Sequence, residues 1–164
     1  MSNNEVKYEI KDLFDVPEDE IIVHGCNSKG VWGSGIAAEF KKRYQESYKE
    51  YQTFCDHGPN KTGRAFISSP NNNEKHWVCG LITSNGYGSD VDDVETIKIN
   101  TTLAVDNLCD ALCKLHSLHQ FPKIKVYSNQ FNSGLFKVPW LETERVLNVV
   151  LKKYPRIEWT VCTP

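Results

Sequence analysis

Apolar residues fall in short runs separated by polar, glycine-bearing stretches, and the period of each run predicts its element. Residues 8–10 read as a short first strand, followed by an acid-rich loop over 11–17. Residues 21–24 (Ile-Ile-Val-His) are apolar on both faces, which predicts a central strand of a covered sheet. Helical spacing begins near Ile36 and runs to about residue 44. A second helix over 46–55 stops at Asp56-His57-Gly58-Pro59. Residues 64–68 and 77–83 read as strands joined by the turn 70–75, a hairpin pattern. The longest helix is predicted over 94–118, with Ile97, Ala104, Leu108, Ala111, Leu115 and Leu118 turned inward. A strand at 124–127, a helix over 140–153 burying Val146, Leu147, Val149, Val150 and Leu151, and a strand at 157–162 complete the chain. Strands alternating with helices predict an α/β domain, and the one hairpin makes its sheet mixed.

The polar stretches between these elements carry the candidate chemistry. Three loops leave strand ends at 24–35, 84–90 and 128–137, and each combines glycine with Ser or Asn. In open α/β sheets ligands lie beyond the carboxyl ends of the strands, so the three predict one cleft lined with backbone N–H donors. The first loop has Gly30, Gly33 and Gly35 just before a helix begins. Glycine lets backbone approach an anion closely, and the helix start attracts it. His24, at the loop's base, is either a satisfied core histidine or a general acid or base. Asn27 either caps the loop or meets a sugar hydroxyl. Trp32 and Phe136, aromatic rings within glycine loops, pack on a ligand or on each other.

Composition narrows the partners. The 164 residues predict one domain over 1–164, and a net charge of −2 gives no field to recruit nucleic acid. The polar start and the lack of a membrane-length apolar run predict a soluble, intracellular protein, expected in the cytoplasm with nuclear access if eukaryotic; a monomer is expected. The six cysteines form no C-x-x-C and read as buried free thiols. Cys109, Cys113 and His116 share one helix face, which the surrounding leucines make a packing face rather than a metal site.

Familiar motifs fail one by one. Gly30-x-x-Gly33-x-Gly35 reverses the spacing of the dinucleotide fingerprint, and Lys61-Thr62-Gly63 has the wrong order for a phosphate-binding P-loop. Cys26 lacks an arginine six residues on, so phosphocysteine chemistry is unsupported. Asp90-Val91-Asp92-Asp93-Val94 matches an aspartyl-phosphate pattern, but a loop stands where that chemistry needs a strand. Asp92 and Asp93 read as acids charging a helix start. Lys41-Lys42-Arg43 reads as a solvated helix face.

Two blocks carry a resemblance. Val23-His24-Gly25-Cys26-Asn27, with Gly30-Val31-Trp32-Gly33-Ser34-Gly35-Ile36-Ala37, and Asn132-Ser133-Gly134-Leu135-Phe136-Lys137-Val138-Pro139-Trp140 resemble the macro domain, in its yeast-type ADP-ribose 1″-phosphate phosphatase branch. The resemblance covers nearly the whole chain. It implies a three-layer α/β/α fold with a mixed, mostly parallel central sheet. It implies that Asp12, with Leu13 beside it, accepts from the adenine amino group. It also implies that Asn27 faces the distal ribose, that Gly33, Ser34, Gly35, Ile36 and Ala37 form the first phosphate loop, and that Asn132, Ser133, Gly134, Leu135 and Phe136 form the second.

The chain also departs from the family pattern. Lys137 stands where the branch usually has glycine, and Cys26-Asn27 replaces the Ala-Asn pair of many macro domains. A related branch removes ADP-ribose from protein carboxylates with a lysine and an aspartate. Their places here are Ser84 and Phe136, which argues against that chemistry.

The implied activity is removal of the 1″-phosphate from ADP-ribose 1″-phosphate, a by-product of tRNA splicing, with no metal and no cofactor. The phosphate is expected near His24, Asn27 and Ser34. His24 is the first candidate for acid or base, and Asp90 the second. The competing expectations are an ADP-ribose reader without turnover, and a hydrolase of ADP-ribosylated protein or nucleic acid.

Overall fold

The computed structural model describes residues 3–116 and 123–164. Six strands form one sheet: β1 (Lys7–Ile10), β2 (Ile21–Asn27), β3 (Ala65–Ser68), β4 (Trp77–Ser84), β5 (Ile124–Ser128) and β6 (Ile157–Thr163). Their order across the sheet is β1-β6-β5-β2-β4-β3. All neighbours are parallel except β3 and β4, the hairpin expected from the turn at 70–75. Four helices cover the sheet: α1 (Gly35–Arg43), α2 (Gln45–Asp56), α3 (Val94–Leu115) and α4 (Trp140–Leu151).

Alternation along the central strands sorts side chains into two cores. Ile21 and Val23 of β2 join Leu81, Val126 and Trp159 under α3 and α4. Ile22 and Cys26 join Val78 and Ile82 under α1 and α2, with Phe40, Tyr44 and Tyr51. The result is three layers, α/β/α, with both faces of the sheet covered as its near-continuous apolar strands require.

Strand β2 runs three residues past the expected end at His24, because its partner β4 continues alongside to Ser84. Within that pairing a Cβ at Gly80 would come within 2.7 Å of the Cys26 sulfur, so a side chain there would have to push the thiol aside. Helix α3 ends at Leu115, and the expected Leu118 lies outside the described residues. Its inward stripe also differs. Ile97, Ala104 and Leu108 are buried as expected, but Leu112 takes the place of Ala111 and Leu115, and Leu115 is exposed. On α4 Leu147, Val150 and Leu151 are buried while Val149 faces water. In both helices an apolar run wider than the buried stripe hid which residues face inward.

The six cysteines are free, and Cys26, Cys79, Cys109 and Cys162 are buried. Cys109 belongs to the core under α3, with Cys113 packed against it. Among the described residues no three His, Cys, Asp or Glu side chains are grouped to hold a metal ion, and no helix is long and apolar enough to cross a membrane.

Candidate functional site

The five parallel strands end along one edge of the sheet. Val23 pairs with Ser128 and Asn27 with Ser84, so the loops after β2, β4 and β5 leave the same edge. The chain beyond β1 leaves it too, with Lys11 N donating to Thr163 O at 2.8 Å. Loops 28–35 and 129–137 therefore share a side, as one cleft requires. They also converge. A Cβ at Gly25 would lie 3.2 Å from Asn132 Oδ1, so glycine there lets the second loop pass directly over β2.

The first loop is held from within. Asn27 Nδ2 donates to Val31 O at 2.7 Å, and its Oδ1 accepts from Lys29 N at 3.0 Å and Val31 N at 3.3 Å. Tyr51 Oη donates to the same Oδ1 at 3.2 Å, and also to Asn27 O. The amide thus caps the loop, one of the two roles the residue type allowed. Gly30 turns the chain at φ 78°, a conformation glycine adopts without strain, and Tyr48 Oη donates to its carbonyl. Beyond it Gly33, Ser34 and Gly35 are exposed, and Ile36 and Ala37 half-buried. Ser34 occupies the N-cap position of α1, yet its side chain makes no capping bond. The first N–H groups of the helix therefore lack side-chain acceptors and form a donor set for an anion.

The second loop is pinned by Asn132, buried at φ 68°. Its Oδ1 accepts from Thr83 Oγ1 at 2.7 Å and its Nδ2 donates to Thr101 Oγ1 at 3.0 Å, tying the loop to β4 and α3. Asn132 thus anchors the loop, while Ser133, Gly134 and Leu135 stand exposed and Phe136 half-buried. Lys137, the residue in a usual glycine position, has φ 62°.

At the far end of the edge Asp12 is exposed, and its carboxylate accepts from Phe14 N at 2.9 Å. The Leu13 side chain is buried in the core under α1. At the other end Asp90 closes a short 3₁₀ turn, Gly88–Asp90, in the loop after β4. Gly86 lets that turn fold back, since a Cβ there would meet Asp90 O at 2.3 Å. Asp92 braces the same loop by accepting from Asn85 N at 2.9 Å, and Ser84 Oγ accepts from Asp92 N at 3.1 Å. The Asp90 carboxylate is exposed and makes no hydrogen bond or ion pair with the described residues.

Two expectations are corrected. His24 is 0% exposed: its ring stacks on Phe40 at 3.9 Å and meets the edge of Trp32 at 4.7 Å. Burial pushes its pKa down to about 3. A ring sealed on the α1 side of the sheet neither reaches a ligand nor titrates near neutrality, so His24 is not the acid or base of the cleft. Trp32 is 1% exposed and stacks on Tyr51 at 4.8 Å, so it supports the loop from beneath instead of lying against a ligand. Its buried indole N–H lacks a hydrogen-bond acceptor among the described residues, although the Cys26 sulfur lies close enough to feel it.

Two residues escaped the sequence reading. Asn129, next after β5, has a buried Oδ1 without a partner among the described residues. An amide directly following a strand on the ligand edge was the available signal. Lys61 is 7% exposed, and its only sequence signal was a failed phosphate-loop motif.

A mixed, mostly parallel sheet with helices on both faces and two glycine loops leaving one carboxyl edge defines the class, and the match to the Macro domain family model over residues 23–147 places the chain in it: the chain belongs to the macro domain family. Among curated relatives, ADP-ribose 1″-phosphate phosphatases of Aspergillus fumigatus and Saccharomyces cerevisiae are 32% and 34% identical. The first alignment covers 83% of this chain and 85% of the relative, the second 77% and 81%. The macrodomain of Mycobacterium tuberculosis DarG superposes with a TM-score of 0.77 at 20% identity, covering 97% of both chains, which shows the same fold.

Proposed function

We propose that this protein binds ADP-ribose along the carboxyl edge and hydrolyses ADP-ribose 1″-phosphate to ADP-ribose and phosphate. The observation that carries the reading is the exposed α1 start, without a side-chain cap, on the same sheet edge as the exposed second loop, the two following the adjacent parallel strands β2 and β5. Two glycine loops converging there suit a diphosphate, which the helix N–H groups stabilise. The names of the curated relatives support the terminal phosphate as the group removed. Adenine lies toward Asp12, the diphosphate between residues 33–37 and 133–136, and the distal ribose toward Asn27, whose second Nδ2 hydrogen remains to donate.

In this reading water attacks phosphorus, the bond from phosphorus to the C1″ oxygen breaks, and that oxygen takes up a proton. Asp90, exposed in the loop after β4, accepts the proton of the attacking water in place of the buried His24. Backbone donors of the two loops hold the nucleotide rigidly, so little positioning entropy is lost at the reaction.

The test is to supply purified protein with ADP-ribose 1″-phosphate, without added metal, and to measure inorganic phosphate. Release by wild type, with at least a hundred-fold loss of kcat and unchanged ADP-ribose affinity in Asp90→Asn, is expected; that loss is about what a general base contributes. Tight ADP-ribose binding without release would make the protein a reader instead. Release of ADP-ribose from modified protein or nucleic acid would make it a glycohydrolase.

A further inference from the structure

A cavity of about 450 Å³ opens beyond the ends of β2 and β4, lined by Ser28, Lys29, Asp56, Gly58, Asn60 and Asn85 among others. It begins one residue past Asn27, on the same carboxyl edge. Ser28 N donates to Ser84 O at 2.9 Å and Lys61 N donates to Ser28 Oγ at 2.9 Å, so the two strand ends and the connection after α2 are tied together around it.

The cavity has a buried cation behind it. Lys61 is a residue type almost never buried without a carboxylate. Here its Nζ donates to His57 O and lies 5.5 Å from the Phe54 ring centroid, and no carboxylate pairs with it among the described residues. It lies directly behind Gly58, a wall of the cavity, where a Cβ would stand 3.4 Å from the ammonium. Lys29 supplies a second cation from the lining, also without an ion pair among the described residues, and Asn60 and Asn85 supply amides. A positive charge in a partly buried position acts over several ångströms with little screening. Asp56 is the single acid of the lining, and the lining residue Asn85 belongs to the loop after β4 that carries Asp90, the base of the reading above. A phosphate monoester, whose second pKa is near 6, can carry the proton that bridges to Asp56.

We propose that this cavity is the subsite for the terminal phosphate, with Lys29 as its direct cation and Lys61 as the buried charge that makes it attractive to anions. The proposal rests on the functional reading above, and it names the residues that distinguish ADP-ribose 1″-phosphate from ADP-ribose.

The experiment is calorimetric titration of inorganic phosphate into the protein, with and without saturating ADP-ribose, for wild type, Lys29→Gln and Lys61→Met. Methionine keeps the apolar stem of Lys61. Phosphate is expected to bind wild type, and its Kd to rise at least ten-fold in Lys29→Gln, as loss of a charge-assisted contact implies, and to rise also in Lys61→Met through the lost buried charge. ADP-ribose affinity is expected to stay within two-fold. Lack of phosphate binding to wild type at millimolar concentration, or an unchanged phosphate Kd in Lys29→Gln, overturns the proposal. If Lys61→Met fails to fold, Lys29→Gln alone decides. Enzymatic phosphate release is measured separately, so failure of the hydrolase reading leaves the titration result interpretable.

Discussion

Replacing His24 by phenylalanine should flatten the acid limb of the stability curve. The unfolded chain protonates this imidazole near its ordinary 6.5, whereas the folded ring resists until about 3. Protons therefore bind the unfolded state preferentially throughout that window, and stability falls as pH drops through it. Between pH 7 and pH 5 the unfolded state gains about 1.5 pH units of protonation free energy that the folded state does not. At about 1.4 kcal/mol per unit this is about 2 kcal/mol. That is a large part of the 5–15 kcal/mol by which domains are stable, taken as an order of magnitude. Phenylalanine keeps a flat ring against Phe40 and Trp32 and has no proton to take up. Urea unfolding of both proteins at pH 7 and pH 5 should give curves whose midpoints separate by about 2 kcal/mol more at the lower pH. Carboxylates such as Asp106 and Glu158, held low by Lys153 and Lys7, contribute equally to both proteins and cancel in the comparison. A wild type and variant that lose stability in parallel would refute the assignment of His24 as a neutral core group.

Three further outcomes are expected. Gly86→Ala brings a Cβ to 2.3 Å from Asp90 O, so it should cost about 1–3 kcal/mol in urea unfolding and lower kcat through the displaced Asp90. Lys137→Gly should raise Tm by about 2 °C, because a left-handed lysine costs about 1–2 kcal/mol, partly offset by the freer unfolded chain. A fall in Tm would show that the Lys137 side chain has a stabilising contact. Asn132→Ala removes the bonds to Thr83 and Thr101, so it should cost about 2 kcal/mol and weaken ADP-ribose binding through a loosened loop, read by calorimetry.

The edge and its loops were legible because their cause is local. A strand that ends at Gly, Ser or Asn announces its own loop, and the doubly apolar β2 announced a central position. His24 and Trp32 were not legible as core residues. What buries them is Phe40 from α1 and Tyr51 from α2, and no pattern around residues 24–32 reports where those helices pack. Lys61 was obscured by a long-range tie: His57 and Phe54 lie close to it in sequence, but its backbone is fixed beside the end of β2 by Ser28, whose Oγ accepts from Lys61 N, a contact no local pattern reports. The helix stripes failed in a different way. On α3 and α4 the apolar positions exceed what the sheet can cover, so periodicity named a face but not its centre.

The contact between Cys26 and Gly80 has a consequence for lineage. A side chain at 80 meets the sulfur at 2.7 Å, so glycine is held there by the cysteine and not by its backbone angles. If an ancestor carried the alanine usual before the asparagine, shortening position 26 would have left space for alanine opposite. The two positions are coupled: with the sulfur in place, a side chain at 80 has to push the thiol aside, so exchange at 80 is tied to the size and rotamer of residue 26. Homologous chains with a side chain at 80 should therefore more often carry a residue smaller than cysteine at 26.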